Sequence, residues 1–332
     1  MFKNYSLKNY NSFRANHRAN FFLKIKNNKS LIDFLSDKEF KNEKKLILGG
    51  GSNILFTKDY KGVILYSCIK GMHILEENNN HIKVKVGSGE NWDDFVKFCV
   101  SKNWYGIENL SLIPGSVGAV PIQNIGAYGV EVKDYIYDVN GIDLKNNTKK
   151  TYSNKSCDFE YRDSIFKREL KNNFFVTEVT FILNKNKKFT LDYSELKNIN
   201  SQNLTIQNVR DKIIEIRNSK LPDPKLLANA GSFFKNPVIN KKIAKKIKEK
   251  YNDFKYYQIN ESMVKISAAW LIEKSGWKGH KEKNIGVYNK HALVLVNYSS
   301  ENGKDIKILS KKIKESVLEK FNVTLENEVN VF

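Results

Sequence analysis

Cysteine is scarce in this chain of 332 residues. Cys68, Cys99 and Cys157 are odd in number and share no C-x-x-C spacing. That argues against a disulfide framework and a cysteine zinc site, and makes a reducing compartment the default. Histidine is thin as well: His17, His73, His81, His280 and His291 are scattered, with no H-E-x-x-H, so no metal site is expected. Long apolar runs are missing. The longest, such as "ALVLV" at 292–296, are strand-sized, well short of the roughly 18 apolar residues a membrane helix needs. The opening "MFKNYSLKNYNSFRANHRANFFLKIKNN" is basic and polar and lacks the apolar core of about 7 to 15 residues found in a secretory signal. A cytoplasmic protein with no membrane partner is the expectation. Acidic side chains are outnumbered, 36 Asp and Glu against 56 Lys and Arg, for a net charge of +20. Clustered, that excess would invite a nucleic-acid reading. The lysines are instead spread along the chain with abundant Asn and Ile, so they read as solvated faces and no nucleic-acid partner is expected, though a basic bias still suits an anionic ligand.

Hydrophobic residues make up 41% of the sequence, enough for two or three modest domains. There is no internal repeat, no long low-complexity linker and no regular βαβα alternation. "KKLIL" and "GVILYS" read as strands either side of a glycine loop. "IKVKVGSGENWDDFVKFCVSKN" reads as a strand, a glycine turn and a helix whose Trp92, Phe95, Val96, Cys99 and Val100 recur at helical spacing, with Glu90 and Asn91 at the cap. "YIYDVNGIDL", "FFVTEVTFIL" and "FTLDY" alternate like strands. "IQNVRDKIIEIRNSKL" predicts a helix stopped by "PDP". "MVKISAAWLIEKSGW" reads as helical, "NIGVYNKHALVLVN" as paired strands, and "KDIKILSKKIKESVLEKF" as an amphipathic helix with Ile306, Leu309, Ile313, Val317 and Phe321 inward. The closing "VTLENEVNVF" is strand-like. The fold class expected is α+β.

The glycine-rich stretches carry the functional signal. "LILGGGSNILF" (46–56) runs from apolar residues through three glycines and back into apolar residues. It matches neither the Walker loop G-x-x-x-x-G-K-[ST] nor the dinucleotide fingerprint G-x-G-x-x-G, and no helix follows. Bare backbone N–H groups there can still form an anion nest. "GSGEN" (87–91) is a second such turn. "IENLSLIPGSVGAVPIQNIGAYGVEV" (107–132) holds four glycines and two prolines among apolar residues, too apolar for disorder and too irregular for a regular element. Close approach of a ligand carrying phosphates accounts for three such loops better than three unrelated turns.

In this order, "LGGGSNILF", "VGSGENW" and the 107–132 segment resemble the flavin-binding half of the UDP-N-acetylenolpyruvoylglucosamine reductase family. The resemblance continues through "CDFEYRDSIFK", "RNSKLPDPK", "NAGSFFKNP" and "LENEV", nearly the whole chain. It implies an FAD-binding fold of the vanillyl-alcohol-oxidase type and three domains. Residues 1–70 with 322–332 would form one flavin-binding subdomain, 71–221 a second, and 222–321 a substrate-binding α+β domain. It further implies non-covalent FAD, NADPH as co-substrate, UDP-N-acetylglucosamine enolpyruvate as substrate, and a monomer. No histidine lies in "GGGSN" or "IPGSVGA", where flavin oxidases of the same fold often tether their cofactor.

Carried over residue by residue, the resemblance makes Ser232 the proton donor, Arg162 the clamp on the substrate carboxylate and Glu328 the group that polarises the enol ether or positions a proton source. Lys220, Asn236 and Tyr193 would contact the nucleotide sugar, Tyr193 from a covering loop. The cofactor would lie on Gly49, Gly50, Gly51, Ser52, Asn53, Pro114, Gly115, Ile122, Gln123, Ile125, Gly126 and Arg217. Two positions depart from the pattern. Val120 stands where a small residue is common, and Asn330 where many members have arginine.

Overall fold

A computed structural model describes residues 1–193, 195–197, 199 and 203–332. The chain divides into two compact units, the first of Met1–Tyr5, Ala19–Gly51 and Lys61–Ser219, the second of Ser6–Arg18, Ser52–Tyr60 and Lys220–Phe332.

Two sheets organise the first unit. One orders Phe2–Ser6, Arg18–Ile25, Tyr60–Ser67 and Lys45–Leu48, the last two running parallel. The other is antiparallel and five-stranded, in the order Thr148–Ser153, Ile136–Asp143, Phe174–Asn184, His81–Gly87 and Met72–Glu77. Alternation does the sorting within it: Ile82, Val84 and Val86 are buried, while His81, Lys83 and Lys85 between them are half-exposed. Against this face packs the helix Trp92–Ser101. Trp92, Phe95, Val96, Cys99 and Val100 are its buried side, and the rings of Phe95 and Phe181 lie 4.9 Å apart. Asn91 accepts the Asp94 N–H as the cap, and Asp93 and Asp94 complement the positive helix end.

Three smaller sheets sit in the second unit. Ala228–Ser232, Val294–Asn297, Ile285–Val287 and Lys281–Glu282 form one, and Val238–Asn240, Met263–Ile266 and Tyr256–Gln258 another. Asn330–Val331 pairs in parallel with Ile54–Leu55. The helix Gly303–Phe321 buries Ile306, Leu309, Ile313, Val317 and Phe321 in a core with Val264, Leu271 and Leu295, the spacing that the sequence predicts.

Mixed helix and sheet without βαβα alternation gives the α+β class. Three local expectations need correction. Met263–Ile266 is a strand, paired on both sides, and the helix is only Ala268–Lys274. Ser267 resets the chain there by accepting the Trp270 N–H as N-cap. "FTLDY" belongs to no strand: the Thr190 carbonyl is taken by the buried Asn109 amide at 2.8 Å. In "VTLENEVNVF" only Asn330–Val331 is a strand.

Candidate active site

The region 107–132 is irregular, with 3-10 turns at Glu108–Leu110 and Val117–Ala119 and two-residue strands at Gly126–Ala127 and Val130–Glu131. It joins the other two glycine turns through backbone. A Cβ on Gly50 would stand 2.9 Å from Gly115 Cα, and one on Gly49 2.5 Å from Ser116 Oγ. On its other side this stretch bonds to the second turn: Val117 N–H to Glu90 O at 2.9 Å, Gly118 N–H to Ser88 O at 2.9 Å, and Trp92 N–H to Gly115 O at 3.1 Å. A Cβ on Gly118 would press to 2.5 Å from Ser88 Cβ. The side chains missing at Gly49, Gly50 and Gly118 thus make room first for neighbouring loops. Gly51 and Gly115 are needed for their conformation as well, at φ +67° and +135°.

Ser116 Oγ and Arg217 Nε are among the buried donors of this unit that find no hydrogen-bond partner among the described residues. A buried donor left unpaired costs about 1–3 kcal/mol, so both suit a ligand rich in acceptor oxygens. Arg217 is on the helix Ile206–Lys220. Burial pulls its pKa below the ordinary arginine value, against the opposing pull of Tyr128, which it hydrogen-bonds, and of Asp93. Two turns earlier on the same helix, Arg210 pairs both guanidinium nitrogens with Asp93 at 2.8 Å. Tyr128 also meets Tyr193 edge to face, with centroids 5.4 Å apart. Tyr193, Tyr128 and Arg217 therefore form a continuous row.

Arg162 is held in a left-handed conformation at φ +56°. Its Nη1 donates to Asn124 O at 3.2 Å, and its Nη2 donates to Gly126 O. Ser164 Oγ donates to Ile122 O at 2.7 Å. The segment after Glu160 thus braces Ile122, Asn124 and Gly126 from one side, bringing the arginine to the glycine-rich stretch. Gln123 lies half-buried and Pro114 exposed in that stretch, and Val120 is buried at 3% exposure. Its isopropyl group packs in the apolar core of this unit with Ile125 and Val117.

Ser232 and Glu328 belong to the second unit, and backbone pairing makes them neighbours. Ser232 ends the strand Ala228–Ser232, just after a register shift, with Gly231 at φ +67°. A Cβ on Gly231 would meet nothing within 4 Å, so glycine is there for its backbone angle and not for space. Asn229 Oδ1 accepts the Gly231 N–H at 2.8 Å and fixes the bend. Glu328 N–H donates to Phe233 O at 2.8 Å, and Lys235 N–H donates to Glu326 O at 2.9 Å. Asn53 adds its Nδ2 to Glu328 O at 3.2 Å. Asn236 uses its carboxamide oxygen to accept the Ala268 N–H at 3.0 Å, which leaves the amide nitrogen as the end for a ligand. Lys220 ends its helix, and burial lowers its pKa.

His291 carries no signal in the sequence, yet burial first, then Lys220 and Lys278, lowers its pKa, with Glu273 opposing. Only the fold assembles these two lysines and the glutamate about the imidazole. Ser52, like Asn53, is half-buried in the turn that follows the three glycines. Among the described residues no group of three or more His, Cys, Asp or Glu is placed to hold a metal ion. No helix there is long and apolar enough to cross a membrane.

Comparison with known proteins agrees along the chain. Residues 223–332 match the profile described as UDP-N-acetylenolpyruvoylglucosamine reductase, C-terminal domain, and residues 19–144 match that of an FAD binding domain. The UDP-N-acetylenolpyruvoylglucosamine reductase of Flavobacterium johnsoniae is 44% identical over 333 residues, covering 99% of this chain and 98% of its own. That of Bacteroides fragilis strain YCH46 is 43% identical over 332 residues, covering 99% of each. In fold, the chain is similar to the crystal structure of the Thermus caldophilus UDP-N-acetylenolpyruvylglucosamine reductase, with TM-score 0.70 at 20% identity over 98% of this chain and 97% of that one.

Proposed function

The chain belongs to the UDP-N-acetylenolpyruvoylglucosamine reductase family, and from that membership we propose that it is an FAD-dependent oxidoreductase, a UDP-N-acetylmuramate dehydrogenase. It reduces UDP-N-acetylglucosamine enolpyruvate to UDP-N-acetylmuramate in peptidoglycan precursor synthesis. The observation that carries the reading is the hydrogen bond from Glu328 N–H to the carbonyl of Phe233, because it sets Glu328 beside the strand end that bears Ser232.

The first unit fits the cofactor. Gly49 to Gly51 and Gly115 offer bare backbone, and Ser116 Oγ and Arg217 Nε are buried donors awaiting acceptors, as the diphosphate of FAD would supply. Bound there, FAD would supply the hydride chemistry between NADPH and C3 of the enolpyruvyl group. Ser52 and Asn53 continue the loop, with Ile122, Gln123, Ile125, Gly126 and Pro114 completing the cofactor set.

The remaining work falls to side chains. Arg162 holds the substrate carboxylate, whose charge grows as the enolate forms. Ser232 gives its proton to C2; a hydroxyl is a weak acid, but an enolate carbon is a strong enough base to take it. Glu328 polarises the enol ether or positions the proton source. Lys220 and Asn236, the latter through its amide N–H groups, bind the uridine diphosphate portion, and Tyr193 covers it. The working protein is a cytoplasmic monomer. Residues 1–70 with 322–332, 71–221 and 222–321 are its three domains in this reading.

The test is one anaerobic cuvette. The purified protein should show the visible bands of oxidised flavin, lose them with NADPH, and regain them when UDP-N-acetylglucosamine enolpyruvate is added. Recovery only on admitting oxygen would point instead to an oxidase. A protein that stays colourless after reconstitution with FAD would end the reading.

A further inference from the structure

We propose that Asn330 is a positioning residue for Glu328, acting through Asn53; the consequence for the reaction rests on the role given to Glu328 above. Glu328 is clamped on both sides of its Cα. Its N–H donates to Phe233 O at 2.8 Å, and its carbonyl accepts from Asn53 Nδ2 at 3.2 Å. With both flanking peptide groups fixed, the direction in which the side chain leaves the backbone is fixed as well.

Asn53 can serve as one jaw of that clamp only if it is itself held. Its carbonyl accepts two hydrogen bonds from a single residue, the Asn330 N–H at 3.1 Å and Asn330 Nδ2 at 3.2 Å. Residues 328 to 330 therefore close a ring on the turn that follows the three glycines: Asn330 to Asn53, and Asn53 back to Glu328. The parallel pairing of Asn330 with Ile54 keeps the ring in register. Only a side chain with an amide or similar donor at position 330 makes the second bond.

The test replaces the donor by an acceptor of the same shape. In Asn330→Asp a carboxylate oxygen faces the Asn53 carbonyl, so the ring is opened by repulsion; Asn330→Ala merely removes the bond; Asn330→Gln keeps a donor. Backbone amide hydrogen exchange, read by mass spectrometry on the peptide covering 322–332, should speed up in the Asp and Ala variants and less so in Gln. In the same proteins, reoxidation of the NADPH-reduced flavin by UDP-N-acetylglucosamine enolpyruvate should slow about tenfold for Asp and about threefold for Ala. Flavin reduction by NADPH should change less than about twofold, and Gln should recover most of the wild-type rate. Unchanged exchange, or equal slowing of both half-reactions, would overturn the proposal. Should the Asp variant lose its fold, the Ala variant decides by the same ratio. A wild-type protein that the enolpyruvyl substrate cannot reoxidise would instead strike at the role of Glu328, while exchange still reports whether the ring exists.

Discussion

In the first unit the candidate region is marked by side chains that are missing where loops meet, whereas in the second it is marked by two side chains set on a paired backbone. Around Gly49, Gly50 and Gly118 the loops approach so closely that a single Cβ would overlap backbone or a buried serine. Around Ser232 and Glu328, the corresponding glycine, Gly231, has open space about its Cα, and order comes from Phe233, Asn229 and Asn53 acting as partners. Adding atoms should therefore damage the first region. In the second, removing them should do the damage.

The largest effect expected on the second region is from Ser232→Ala. Flavin reduction by NADPH should be near normal, and reoxidation by the enolpyruvyl substrate should fall about 10²- to 10⁴-fold, read by stopped-flow absorbance. Equal loss in both steps would remove Ser232 from the proton-donor role. In the first region the matching change is Gly50→Ala. Its new methyl carbon would lie 2.9 Å from Gly115 Cα, and overpacking of this kind costs about 1–3 kcal/mol. FAD affinity of the apoprotein, titrated by flavin fluorescence, should weaken about 5- to 100-fold while the protein remains folded. An Ala variant that binds FAD like the wild type would mean that the glycines serve the loops alone.

Much of the regular structure was legible because its periods are local. His81–Gly87 alternates, Trp92–Ser101 repeats every three to four residues, and both bury the residues their spacing marks. The strand Met263–Ile266 was not legible. Its apolar residues suit a helix face equally well, and what makes them a strand is pairing with Val238–Asn240 and Tyr256–Gln258, partners that no local window contains. The glycine loops announced a close approach but not what approaches: for Gly49 and Gly50 it is the 115–116 backbone and Ser116. The ring of Asn53, Glu328 and Asn330 joins residues 275 and 277 positions apart, and His291 gains its lysine neighbours only on folding. Residue types suggested chemistry where a motif was contiguous, and gave no sign of the partners that the fold assembles.

The smallest expected effect concerns the scaffold between the cofactor candidates, and it separates support from chemistry. Burial alone would raise the pKa of Asp93, but its hydrogen bonds from Arg210 and from the Leu112 N–H, with the charge of Arg217 beyond, outweigh that and hold it below the ordinary carboxylate value. A carboxylate whose folded pKa is depressed adds stability that is present above its unfolded pKa, near 4, and is lost as pH falls through the folded value. Arg210→Met removes the two bonds while keeping the apolar stem. At pH 7 it should cost about 2 kcal/mol, and the gap to the wild type should narrow as the pH falls below the unfolded carboxylate value of about 4, and through the lower folded value of Asp93. Thermal melts of the two proteins across that window measure it. A gap that stays constant with pH would mean that Arg210 stabilises the helix Ile206–Lys220 by packing, with Asp93 a bystander. Since Arg217 is carried two turns along on that helix, a variant that also lost FAD affinity would show that this ion pair positions the buried guanidinium as well as the helix.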